Sequence, residues 1–116
     1  MADKWIQLMS EDGTDNLFPV SKMDLLWTNS SPSSAFVDQT VSIDLSDYSY
    51  ILIVSQATNG ITNYHSDIVS VNGTKQTFGS YYGGYYRFAT PTNAGITFEF
   101  VTNNGYTIPY QVYGIR

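Results

Sequence analysis

Hydrophobic and polar residues alternate along much of this chain with a period of two, the repeat of a strand that buries one face. Val41, Ile43 and Leu45 alternate with Ser42 and Asp44, and Ile96, Phe98 and Phe100 share a face opposite Thr97 and Glu99. Residues 50–57 (YILIVSQA) begin with an unbroken apolar run, which predicts a central strand covered on both faces. Residues 4–9, 64–71, 75–78, 85–90 and 106–115 read as further strands, with Pro109 marking an edge position or a bulge in the last. Polar turns rich in Asp, Asn and Gly separate these runs: SEDGTDN, DLSDYS, TNG, PTNAG and NNG. Asn72-Gly73 between two strand-like runs predicts a β-hairpin, because the tightest such turn needs positive φ at both central positions.

Residues 17–28 (LFPVSKMDLLWT) follow neither period two nor period 3.6, and Pro19 interrupts any ladder. They read as an extended arm with room for a single helical turn near Ser21–Leu25, followed by a loop at residues 29–34 (NSSPSS). The whole pattern predicts one all-β domain: a jelly-roll-like β-sandwich of about eight antiparallel strands over residues 35–116, preceded by an extended N-terminal arm over residues 1–34.

Composition agrees with the pattern. Aromatics make up 16% of the 116 residues, ten of them tyrosine, while charged residues are only 13%, about half the globular average. Polarity therefore comes from hydroxyls and amides, and the Ala, Glu, Lys and Leu that long helices need are scarce. A formal charge of −5 with five scattered cations argues against nucleic acid as a partner. Without cysteine there are no disulfides and no thiolate chemistry. The early charges Asp3 and Lys4 predict no secretory signal, and the longest apolar run, Ile51–Val54, predicts no membrane insertion.

Candidate chemistry concentrates in YYGGYYR, residues 81–87. Tyrosine offers a flat face for stacking, a hydroxyl for hydrogen bonds and little rotamer entropy to lose, which suits saccharide recognition. Tyr81, Tyr82, Tyr85, Tyr86 and Arg87 are the candidate ligand residues, with Tyr64, His65 and Asp67 as polar company if the segments converge. The same tyrosines suit a subunit contact or, for two of the four, the core, since neighbours on a strand face opposite ways. His65-Ser66-Asp67 is not a catalytic triad, because adjacent strand residues diverge. A lone histidine without cysteine makes a poor metal site, and SEDGTDN lacks the spacing of an EF-hand calcium loop. The two glutamates, Glu11 and Glu99, advertise no hydrolytic acid pair. No catalytic residue, metal or cofactor is expected. Trp5, Phe18 and Trp27, in segments outside regular strands, either cap the sandwich or form an oligomer interface, where aromatics are enriched and charges depleted.

Several segments resemble a known group. MADKWIQL and DNLFPVSKMD, residues 1–8 and 15–24, resemble the opening of small phage and prophage structural proteins, with a charged residue, an aromatic and a Leu-Phe-Pro step. LWTN with residues 33–54 resembles the C-terminal domains of tail-fibre and minor structural proteins, and IPYQVYGIR is similar to their close. Residues 58–95 match no part of that pattern, and the chain reaches strand-like sequence at once, without a fibre shaft. The resemblance implies a non-enzymatic virion component, commonly a homotrimer, made in the bacterial host cytoplasm. It would serve as a fibre tip, head fibre or receptor-binding head that contacts other virion proteins and host-surface polysaccharide. The competing expectation is a free-standing, monomeric carbohydrate-binding module using the same tyrosines.

Overall fold

In the computed structural model, which describes residues 23–58, 63–79, 86–101 and 103–116, the alternating segments form eight strands and, among the described residues, no helix. They are β1 (Met23–Thr28), β2 (Gln39–Ser42), β3 (Tyr50–Thr58), β4 (Tyr64–Ser70), β5 (Gln76–Gly79), β6 (Tyr86–Thr92), β7 (Gly95–Phe100) and β8 (Tyr106–Ile115). Two antiparallel sheets, ordered β1-β8-β3-β4 and β2-β7-β6-β5, pack into a single all-β sandwich. β1 pairs with β8 and β2 with β7, while β3 pairs with β4 as well as β8, and β6 with β5 as well as β7. Ile51, Ile53, Val69 and Val112 from one sheet meet Phe78, Ala89, Ile96 and Phe98 from the other. Phe98 sits at the centre of an aromatic cluster, with Phe36 and Phe78 edge-on at 5.5 and 5.8 Å.

The described part of the segment that lacked a period is a strand. Met23–Thr28 pairs with β8 as the edge of the first sheet, and the register slips between Leu25 and Trp27. A bulge of this kind puts two residues opposite one, so alternation breaks and the pattern cannot be read. Leu25 is exposed while Leu26 and Trp27 pack on the core. The part of the expected arm from Met23 to Thr28 thus belongs to the sandwich; residues 1–22 lie outside the described residues.

Of three further expectations, one fails and two hold in part. The Asn72-Gly73 turn does not close a hairpin, because β4 and β5 lie in different sheets. Gly73 takes the positive φ, 74°, whereas Asn72 uses its side-chain oxygen to accept the Thr74 N–H at 2.9 Å. A side chain replaces the missing ladder: Gln76 Oε1 accepts the Ser70 N–H at 2.9 Å and Gln76 Nε2 donates to Ser70 O at 2.8 Å. Pro109 lies in an interior strand, at a register shift opposite Val54 and Ser55, so the bulge and not the edge accommodates it. Finally, β3 is central and buried at successive positions from Ile51 to Ile53, although among the described residues no sheet packs on its outer face. On its outer face Leu25, Tyr113, Leu52 and Ile68 stand in register across all four strands. Leu52 is buried there by its neighbours, while Leu25 and Ile68 remain exposed.

Candidate functional site

The two sheets meet along one side where β4 faces β5, and a pocket of about 240 Å³ opens there. Ser55, Gln56, Asn63, Tyr64, His65, Gly79 and Thr107 line it, from β3, β4, β5 and β8 and, in Asn63, the residue just before β4. Its size is below the roughly 300–1,000 Å³ of drug-binding clefts, room for one ring of a larger ligand.

His65 and Asp67 are two apart on β4 and therefore share a face. His65 Nδ1 lies 2.9 Å from Asp67 Oδ2, and the same oxygen accepts the Gly79 N–H of β5 at 2.8 Å. The carboxylate is thus anchored to the facing sheet and holds the imidazole by one nitrogen. In the neutral imidazole, a carboxylate partner selects the tautomer with the proton on Nδ1, which leaves Nε2 as an acceptor. Across the pocket, Thr107 is buried with a φ of 49°, in the left-handed region that a β-branched residue rarely adopts. Gly79, at φ 88°, makes room for it: a Cβ on Gly79 would stand 2.5 Å from Thr107 Cγ2. This floor is shaped by a close approach that no side chain at Gly79 would permit.

At the rim, the Tyr64 ring stacks on Tyr110 with centroids 5.2 Å apart and planes at 26°. Tyr64 is 49% exposed, so this aromatic step is backed on one side and wet on the other. Gln56, paired with Tyr64 across β3–β4, is buried and donates to Pro32 O at 2.9 Å.

Of the residues singled out in the sequence, the fold joins His65 and Asp67 on one face of β4, while Tyr64 borders the same pocket from the opposite face, the one that carries Ser66 and Ile68. It does not bring Arg87 to them. Arg87 faces the interior, fully buried, with Nε donating to Thr107 O at 2.8 Å and Nη1 to Phe36 O at 3.0 Å. Its Nη2 donates to Tyr106 O at 3.0 Å and Asn104 O at 3.2 Å. Burial pulls the guanidinium down to about 10, so it is still charged at neutral pH. Its fork ties β8 and the β1–β2 connection into the bottom of the sandwich, a structural task and not a ligand contact. Tyr86 lies on the other outer face, half-buried, with its ring edge-on to Phe88 at 5.7 Å. It is nonetheless paired with Gly79 of the pocket across β5–β6. Tyr81, Tyr82 and Tyr85 lie outside the described residues, as do Trp5, Phe18 and SEDGTDN.

Trp27 lies at the edge of the core. Half-buried, its ring packs on this chain's own Phe36 and Phe98, each at 6.2 Å, the capping place that was one of its two expected roles. Ser55, Gln56 and Thr107 carry no sequence signal as site residues. The His65–Asp67 pairing had one, the i, i+2 spacing on a strand. Among the described residues no cluster of three or more His, Cys, Asp or Glu side chains could hold a metal ion. The chain matches no family model, no curated protein and no solved structure.

Proposed function

We propose that this chain is a non-enzymatic binding head whose β4–β5 pocket takes one ring of a saccharide. The observation that carries the reading is the exposed Tyr64 ring at the rim of a pocket lined by His65, Asn63 and Gln56. Sugar rings present an apolar C–H face and a perimeter of hydroxyls, and they are held by an aromatic platform flanked by hydrogen-bonding groups. Tyr64 supplies the face, and His65, oriented by Asp67, supplies a fixed acceptor. On the motif resemblance, the setting is a phage or prophage virion, where the chain serves as a homotrimeric fibre or receptor-binding head contacting host-surface polysaccharide.

Titration with monosaccharides and short bacterial-surface oligosaccharides, followed by amide NMR, tests the pocket. The expected result is shifts clustered on Tyr64, His65 and Gly79, abolished by Tyr64→Ala and His65→Ala with the fold intact. Shifts that cluster elsewhere, or none with any sugar, sink the reading. The same pocket in a monomer would make the chain a free-standing carbohydrate-binding module, a reading favoured by Trp27 packing on its own core.

A further inference from the structure

We infer that the outer face of the β1-β8-β3-β4 sheet is the contact surface between copies of this chain. Like faces packed on each other join copies in pairs, so the inference rests neither on the homotrimer of the reading above nor on the saccharide pocket. The two outer faces of the sandwich differ in kind. On the β2-β7-β6-β5 sheet, Thr40 bonds Thr97 at 2.9 Å and Lys75 pairs with Glu99 at 3.1 Å, an ordinary solvated surface. On the other sheet, the row Leu25–Tyr113–Leu52–Ile68 crosses every strand. The adjacent row adds Ile115 and Tyr50. Leu25, Tyr50 and Ile68 are 53%, 53% and 62% exposed, a contiguous apolar patch and not scattered single residues.

Charge selects a second copy as the occupant. The chain carries −5, so two copies repel wherever carboxylates face each other. These rows hold no charged side chain, and the row beyond them, Thr28–Gln111–Val54–Ser66, holds none either. This is the face on which two acidic copies meet without burying a charge. Four strands at about 4.8 Å spacing and roughly six residues of length cover roughly 400 Å² in projection. Two such corrugated faces bury on the order of 1,000 Å² of accessible surface, the threshold of a specific interface. The contact is therefore reversible and concentration-dependent.

Light scattering coupled to size exclusion, down a dilution series of the full chain, reads the result. The wild type assembles at high concentration. Ile68→Glu and Ser66→Arg, both on this face, weaken assembly at least tenfold toward the 13.0 kDa monomer while keeping the wild-type urea midpoint. Thr40→Glu on the opposite face leaves assembly unchanged. Ser66→Arg removes no apolar packing, so it separates lost contact from lost folding. Assembly that survives both variants places the contact elsewhere and overturns the inference. A wild type that is monomeric at every concentration overturns it too, and hands the face to residues 1–22 or to another protein. Saccharide shifts in monomeric Ile68→Glu would still support the pocket, so the two readings fail separately.

Discussion

Replacing Arg87 by methionine tests the account of the interior most directly. Methionine keeps much of the apolar stem and removes all four bonds to Thr107, Phe36, Tyr106 and Asn104 carbonyls. A hydrogen bond from a charged donor contributes about 1.5–3 kcal/mol net, so even at the lower end the four are worth about 6 kcal/mol. Against that stands the desolvation of a guanidinium that, among the described residues, has no buried counter-ion in contact. The fall from 12.5 to about 10 sets that cost near 3 kcal/mol. The difference predicts that Arg87→Met loses about 3 kcal/mol. Arg87→Lys loses somewhat less, since one ammonium keeps the charge but cannot span four carbonyls. In urea, with a slope of about 1.5 kcal/mol/M, the methionine midpoint falls by about 2 M. A midpoint within about 0.3 M of wild type would refute the reasoning. It would mean that the bonds only offset desolvation, as at some buried ion pairs.

Two smaller predictions concern the seams of the sandwich. Gln76→Leu removes the side-chain amide that pairs with Ser70, and should cost about 1–2 kcal/mol in urea unfolding and speed hydrogen exchange at the Ser70 amide; unchanged exchange there would show that the pairing is idle. Asp24 is held below its ordinary 3.8, first by the Tyr48 hydroxyl at 2.7 Å and then by Arg116. The unfolded chain therefore binds the proton more readily, so this contribution is complete above pH 3.8 and is lost as pH falls through the lower folded value. Asp24→Asn should flatten that part of the acid limb in urea midpoints taken from about pH 6 to about pH 2; an acid limb as steep as the wild type's would remove Asp24 from the account.

How much of this was legible depended on the element. β8 is read over its full length, and the inward face of β7 at Ile96 and Phe98 is read correctly, because those runs alternate cleanly. β6 reads inverted. Hydrophobicity alone would turn Tyr86 and Phe88 inward, yet Arg87, Ala89 and Pro91 are the buried set. Period two divides a strand into two faces, but which face is inner depends on what the opposite sheet offers. Here carbonyls freed at the start of β8 make an interior position that only a multidentate donor fills. The site was legible in part for the same reason. Tyr64, His65 and Asp67 are neighbours in sequence, whereas Gly79 and Thr107 join them only because β4 and β5 face each other across the sandwich.

The sequence by itself determined that this protein is all-β, where most of its strands begin and end, and that its polarity is hydroxyl and amide with few charges. Those properties follow from local alternation, turn residues and composition, which act over a few residues. Only the tertiary structure decided which strands are neighbours, that Asn72-Gly73 crosses between sheets, that Arg87 is a strut, and that one outer face is left apolar. These depend on backbone groups and faces brought together across tens of residues, and no short-range pattern encodes them.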